Sequence, residues 1–103
     1  MQISIKSQRL LQQLGVMQAL ARGDTLVLVG PTYTLRKEPL RRVRLAFLRD
    51  EADRLCVGYA VAETGGWEPV ESEPFSLRAF GYYERRLKRI GDRIDTGPAR
   101  APR

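Results

Sequence analysis

Apolar and polar positions alternate along this chain in patterns that place one helix near each end. Between residues 7 and about 22, apolar side chains recur with the 4-3-4 spacing of a single helical face, at Leu10, Leu14, Met17 and Ala21. Ser7 suits the N-cap of this helix, and Gly23 suits the left-handed position after its end. Gly15 lies inside the segment, where a glycine destabilises a helix by ~1 kcal/mol relative to alanine.

A second helix is predicted from residue 82 to about residue 94. Its apolar face repeats with the same spacing, at Tyr83, Leu87, Ile90 and Ile94. Glu84 and Lys88 are four residues apart and are expected to pair on its surface. Residues 73–80 fit either a strand or the first turns of this helix. Residues 95–103 contain no apolar residue larger than alanine or proline, and we expect them to form a flexible tail.

The middle of the chain has the two-residue alternation and turn residues of β-strands. Strands are predicted at residues 25–29, 32–38, 40–49, 54–62 and 67–72, and residues 1–6 read as a short strand or an ordered lead-in. Gly30-Pro31 separates the first two strands, and Pro39 ends the second. One face of the 54–62 strand has only small residues from position 56 onward, at Cys56, Gly58, Ala60 and Ala62, which leaves room for a helix or a neighbouring backbone to approach closely. Pro69 cannot donate a ladder hydrogen bond, so the 67–72 strand is expected at a sheet edge.

These elements define an α+β fold with a small antiparallel sheet of about four to five strands. An N-terminal and a C-terminal helix pack on the sheet, and residues 1–94 form a single domain followed by the tail. With 103 residues and an apolar content of 43%, the chain has the size and composition of one folded domain.

Composition excludes most catalytic and metal-binding chemistry. The chain has no histidine, so it lacks the usual neutral-pH base and the commonest transition-metal ligand. Its one cysteine, Cys56, lies within a predicted strand and reads as a buried small side chain. Asp50–Asp53 spell DEAD, but no phosphate-binding glycine loop accompanies them, and we interpret them as a hairpin turn rather than a helicase or cation site. We therefore assign no catalytic, cofactor-binding or metal-binding residue and expect a protein that is not an enzyme.

Apolar segments are too short to cross a bilayer, and the first residues lack the layout of a signal peptide. The longest apolar run has four residues, Leu26 to Val29, whereas a transmembrane helix needs about 20. We therefore expect a cytoplasmic protein without a membrane partner.

Basic and acidic residues are unevenly distributed. The net charge is +6, and 15 of the 18 basic residues are arginine. A GC-rich genome would favour arginine through codon bias, and arginine also suits bidentate binding of phosphate and carboxylate groups. Residues 50–73 hold seven acids and one base, so the remaining chain is strongly basic and the molecule is expected to be electrically polarised.

Two arginine clusters are the candidate partner-binding residues. We assign this role to Arg41, Arg42, Arg44, Tyr82, Arg85, Arg86, Arg89 and Arg93. Arginines along a helix that begins with Tyr82 are suited to following a phosphate backbone and stacking a base. The favoured hypothesis is a small binding module for nucleic acid. The alternative is a protein-interaction adaptor or inhibitor of a host machine, of the phage or mobile-element anti-defence type that includes anti-CRISPR proteins, which would bind a larger protein or nucleoprotein complex. The sequence also leaves a homodimer open.

Overall fold

The sheet and helices form one α+β unit in the computed structural model, which describes residues 4–35 and 38–94, with the backbone alone at 38–40. The elements in chain order are α1 Ile5–Gln13, α2 Val16–Ala21, β1 Val27–Leu35, β2 Glu38–Arg49, β3 Leu55–Glu63, β4 Gly66–Pro74, α3 Leu77–Ile90 and β5 Gly91–Ile94. The predicted fold class is confirmed. The expected tail at 95–103 lies outside the described residues.

All strand pairs of the sheet are antiparallel, in the order β4-β3-β2-β1-β5. The strands β1 to β4 follow one another as hairpins, so β4 reaches one edge of the sheet. Helix α3 then crosses one face of the sheet and delivers the short β5 to the opposite edge, beside β1. The position of β4 confirms the edge expected from Pro69.

The hydrophobic core lies between the three helices and one face of this sheet. Alternate residues of β2 enter it, namely Val43, Leu45 and Phe47. Phe47 packs near two further aromatic rings, with ring centroids 5.8 Å from Phe75 and 6.1 Å from Phe80. Helix α3 contributes Ala79, Tyr83 and Leu87, which are all fully buried. The apolar spacing that predicted this helix therefore faces the core.

The predicted N-terminal helix is two helices, because the chain turns at Gly15. Gly15 adopts φ 74°, a left-handed conformation that ends α1 and starts α2. The turn allows both Leu11 and Val16 to be fully buried. Ser7 is not the N-cap: Ser4 caps α1 by accepting a hydrogen bond from the Ser7 backbone N–H at 3.2 Å. The strand or lead-in expected for residues 1–6 is also wrong from Ile5 onward, where α1 begins.

The C-terminal helix starts and ends earlier than predicted. Ser76 caps α3 by accepting a hydrogen bond from the Ala79 backbone N–H at 2.9 Å. Residues 73–80, which fitted either a strand or a helix, comprise the end of β4, a two-residue link and the first turn of α3. Ile94 is not on the helix, because Gly91–Ile94 forms β5 and pairs with the otherwise free edge of β1. Position 91 requires glycine, since a Cβ there would lie 2.7 Å from the Thr34 carbonyl oxygen.

The segments predicted as separate strands at 25–29 and 32–38 form one strand with an irregularity. Strand β1 continues through Gly30-Pro31, where the pairing with β2 shifts between Val29 and Tyr33. Gly30 is left-handed with φ 73°. Pro39 does not end a strand and instead lies near the start of β2.

The small residues on one face of β3 allow a neighbouring backbone to approach closely, as the sequence predicted. At Gly58 a Cβ atom would fall 1.7 Å from the Glu71 carbonyl oxygen of β4. The pairing of β3 with β4 shifts just beyond this point, between Tyr59 and Ala60. The absent side chain at Gly58 therefore permits the close approach of β4.

Candidate binding surface on helix α3

One flank of α3 presents arginines around a tyrosine. The flank consists of four exposed residues at spacings of 4, 3 and 4, which we call the α3 stripe: Arg78, Tyr82, Arg85 and Arg89. These residues lie away from the buried Ala79, Tyr83 and Leu87, because the helical repeat of about 100° per residue separates the two faces. The Tyr82 side chain is 44% exposed. The α3 stripe thus combines three cations with one accessible aromatic ring.

The three arginines of the stripe have no charged partner within the part of the chain that the structure describes. Arg78, Arg85 and Arg89 make no hydrogen bond and no ion pair to described residues. Their guanidinium groups can therefore bind an external anion without first breaking a hydrogen bond or ion pair to a described residue, and each offers a planar set of donors.

Arg86 is different, because it is bound within the molecule. Its Nη1 atom lies 2.9 Å and 3.0 Å from the two carboxylate oxygens of Glu71 on β4. The guanidinium carbon lies 5.5 Å from the Tyr59 ring centroid and 6.0 Å from that of Tyr82. Burial disfavours the charged guanidinium, but Glu71, Tyr59 and Tyr82 together outweigh that effect and raise the pKa of Arg86. Arg86 was predicted as a partner-binding residue, and the structure places it in an internal ion pair.

Contacts with its neighbours fix the position of the Tyr82 ring. Arg86 donates a hydrogen bond to the Tyr82 hydroxyl at 3.4 Å, and the Tyr82 ring meets the Tyr83 ring edge-to-face at a centroid distance of 5.0 Å. A ring held in this way loses little side-chain entropy when a ligand stacks on it. The internal role of Arg86 therefore supports the exposed role of Tyr82.

Two acidic side chains of β4, Glu71 and Glu73, accept hydrogen bonds from residues of α3. The Tyr83 hydroxyl shares its one proton between Glu71 at 3.3 Å and Glu73 at 3.4 Å in a bifurcated hydrogen bond. Burial and these two negative charges raise the pKa of Tyr83, which stays neutral over the physiological range. Glu71, Glu73, Arg78 and Tyr82 also border a depression of about 300 Å³ at the start of α3.

The remaining predicted arginines do not join the α3 stripe. Arg93 lies on β5 instead of α3. On β2, Arg42 and Arg44 alternate with the core residues and so face the side of the sheet away from the helices. Arg44 Nε donates to the Gly30 carbonyl oxygen at 3.1 Å, and burial lowers the pKa of Arg44. Arg41 forms an ion pair with Glu63 at 3.1 Å. The eight predicted residues therefore occupy at least three surfaces.

The charge separation seen along the chain is reduced in space. Among the described residues, four acids of residues 50–73 pair with arginines, in the ion pairs Glu71–Arg86, Glu63–Arg41, Asp53–Arg49 and Asp50–Arg54. Three of these pairs join the acidic middle to the basic segments on either side of it. The unpaired positive charge is consequently more local than the sequence suggested, and the α3 stripe is one place where it persists.

The DEAD segment is a hairpin turn. One Asp50 carboxylate oxygen accepts the backbone N–H groups of Ala52 and Arg54, each at 2.9 Å. The hydrogen bond from the Arg54 backbone holds the pKa of Asp50 below its usual value, and the Arg54 side chain acts in the same direction. Among the described residues, no three His, Cys, Asp or Glu side chains are placed to hold a metal ion together. Cys56 is buried, as expected, and burial raises the pKa of its thiol.

Arg78 was not predicted as a partner-binding residue, although the sequence contains a pattern that identifies it. Arg78, Tyr82, Arg85 and Arg89 repeat at helical spacing, but the helix was expected to start only at residue 82. The residue that identifies the true start is Ser76, which has the N-cap preference of serine.

Comparison with known proteins adds no relative: no family model, curated protein or solved structure matches the chain. Within residues 4–35 and 38–94, the structure contains no helix with the length and apolar character needed to cross a membrane.

Proposed function

We propose that the protein is a non-enzymatic binding module that engages single-stranded nucleic acid through the α3 stripe. The observation that supports this proposal is an arrangement around one positioned, exposed tyrosine of three arginines that have no charged partner among the described residues. Phosphate groups would pair with Arg78, Arg85 and Arg89, and an unstacked base would lie on the Tyr82 ring.

Dimensions and chemistry favour a single strand over a duplex. Arg78 and Arg89 are 11 residues apart, so at about 1.5 Å per residue the stripe is about 16 Å long. One stacking tyrosine requires a base with a free face, and duplex bases offer none without unstacking. A basic surface with one aromatic platform recognises the backbone and base faces and has little sequence preference.

The proposal is tested by fluorescence anisotropy with a labelled oligothymidylate and a labelled duplex of equal length. Three phosphate contacts give a salt exponent of about −2 on a single strand, so affinity should fall about 20-fold between 50 and 200 mM salt. The triple variant Arg78→Gln, Arg85→Gln, Arg89→Gln should lose most binding and most of the salt dependence. Tyr82→Ala should weaken binding about tenfold, whereas Tyr82→Phe should retain most of it.

A matched variant separates a specific surface from a general effect of charge. Lys6→Gln, Arg9→Gln and Arg22→Gln together remove an equal number of positive charges from α1 and the end of α2, at positions outside the α3 stripe. This control should bind nearly as the natural protein does. Equal losses in the two triple variants, or no binding to either probe at about 50 mM salt, would overturn the proposal. The second result would favour the protein-interaction alternative, since arginine and tyrosine also dominate protein-binding hot spots.

A further inference from the structure

A cavity of about 240 Å³ lies between the α1–α2 junction, the irregular part of β1 and helix α3. Most of its lining is apolar, with large side chains supplied by Leu14, Val29, Leu45, Phe80 and Leu87. An apolar cavity of about 150 Å³ in another protein accommodates benzene. The cavity therefore has room for one aromatic ring with a short substituent.

Tyr33 supplies a polar group at this cavity. Its side chain is only 5% exposed, it lines the cavity, and its hydroxyl makes no hydrogen bond to described residues. The hydroxyl oxygen is not one of the fully buried side-chain polar atoms that lack a partner, so it keeps access to solvent. Tyr33 thus retains a donor that a ligand could use.

Two cations border the same cavity. Arg93 is the cross-strand partner of Tyr33 in the pairing of β5 with β1, so the two side chains rise from the same face of the sheet. Lys88 approaches from α3. Neither Lys88 nor Arg93 forms an ion pair with a described residue, and the surface pair expected between Glu84 and Lys88 is absent among the described ion pairs.

Among the described residues, Glu84 is the one acid that lines the cavity, so the three described charged lining residues carry a net charge of +1. An apolar interior with a cationic border selects an amphipathic anion over a neutral or cationic compound. Inorganic phosphate would leave the apolar lining unfilled. A carboxylate attached to an aromatic ring satisfies both parts.

We infer that this cavity binds a small aromatic carboxylate, with the ring against the apolar lining and the carboxylate between Lys88, Arg93 and the Tyr33 hydroxyl. This site is separate from the α3 stripe, whose members do not line the cavity. The inference therefore does not depend on the proposed binding of nucleic acid.

The test is an NMR titration of the isotope-labelled protein with phenylacetate and with its neutral analogue phenylacetamide. Phenylacetate should cause saturable shifts around Tyr33, Phe80 and Leu87, and should bind at least about tenfold more tightly than phenylacetamide. Lys88→Gln with Arg93→Gln should remove that preference. Arg85→Gln with Arg89→Gln, an equal charge change outside the cavity, should leave it intact.

Two further variants change the cavity without removing its cations. Leu14→Phe should occupy the apolar space and abolish the shifts, with circular dichroism reporting whether the fold is retained. Glu84→Gln removes the repelling carboxylate and should tighten phenylacetate binding severalfold while leaving phenylacetamide unchanged. Equal affinity for the two compounds, shifts centred away from the cavity, or no saturable shift at about 10 mM ligand would each overturn the inference.

Discussion

Arg86 of α3 reaches Glu71 of β4 with its Nη1 atom 2.9 Å and 3.0 Å from the two carboxylate oxygens. This contact connects α3 to β4, an edge strand that pairs within the sheet only with β3. Tyr83 donates to the same carboxylate, and Tyr59 lies beside the guanidinium. The group is only partly accessible, with the Arg86 side chain 29% and the Glu71 side chain 42% exposed. It is therefore a structural contact between α3 and β4.

Replacement of Arg86 should destabilise the fold, although a sequence-based view would treat it as one of several surface arginines. We expect Arg86→Ala to lower the free energy of unfolding by about 1–2 kcal/mol, because an ion pair, its hydrogen bonds and a cation–π contact are lost together. Arg89→Ala, on the exposed side of the same helix, should change it by less than about 0.5 kcal/mol. Urea denaturation measures both.

A double-mutant cycle separates the Arg86–Glu71 contact from general effects of truncation. Arg86→Ala, Glu71→Ala and the double variant should give a coupling energy of about 1 kcal/mol. A coupling near zero would show that the two side chains are adjacent without stabilising each other.

Gly58 should tolerate no side chain. Alanine there would place Cβ 1.7 Å from the Glu71 carbonyl oxygen, so β4 must move away and its pairing with β3 must distort. We expect Gly58→Ala to destabilise the protein by about 3 kcal/mol or more, as overpacking against backbone does. Gly65→Ala is the matched control, since no atom lies within 4 Å of its Cβ position. The control should unfold at nearly the same urea concentration as the natural protein; equal destabilisation of the two variants would contradict the close approach of β4.

Whether Gly15→Ala stabilises or destabilises the protein distinguishes a continuous N-terminal helix from one that is broken at Gly15. In an uninterrupted helix, Gly15→Ala would stabilise by ~1 kcal/mol. With Gly15 at φ 74°, the same change should destabilise by about 1 kcal/mol, because alanine disfavours the left-handed conformation. Gly15→Asn should be milder, since asparagine enters that region more readily. Thermal unfolding ranks the stability of the natural protein, Gly15→Ala and Gly15→Asn. A Gly15→Ala variant that is more stable than the natural protein would contradict the break between α1 and α2 at Gly15.

Tyr83 should make the fold sensitive to alkali. Its pKa is raised in the folded protein, so the unfolded chain releases the phenolic proton first as pH rises. The stabilisation is fully present below the unfolded pKa of about 10 and is lost as pH rises above it, with a slope no steeper than ~1.4 kcal/mol per pH unit. Tyr83→Phe should remove this contribution to the slope, whereas Tyr82→Phe on the exposed flank should retain it. Free energies of unfolding measured between about pH 8 and pH 11 test the prediction, which fails if the two variants have the same alkaline slope.

The local sequence predicted helix α3 but not the residue at which it ends. The spacing of Tyr83, Leu87 and Ile90 predicted the helix, and Ile94 extended the pattern by one more helical step. The chain instead becomes a strand at Gly91, because the edge of β1 offers backbone hydrogen bonds and position 91 has no side chain to obstruct them. Residues 33 and 93 are partners in that pairing, and nothing in either local segment indicates it.

The candidate surface was only partly predicted, because it too depends on which distant segments meet. Tyr82, Arg85 and Arg89 were identified from the helical pattern, and they remain exposed on α3. Arg86 has the same residue type and the same local propensity, but Glu71 lies beside it because of how β4 meets α3. Arg78 was missed because the helix start was misplaced.

The sequence by itself determined the fold class, the edge position of the strand with Pro69, the small face of β3 and the lack of histidine chemistry. Each depends on periodicity, on the covalent constraint of one residue or on composition, which are local or global properties of the chain. Tertiary structure decided the break at Gly15, the strand after α3, the separation of Arg86 from the α3 stripe and the cavity beside Tyr33. These depend on which distant segments meet, and that choice follows from the packing and backbone hydrogen bonding of the whole fold.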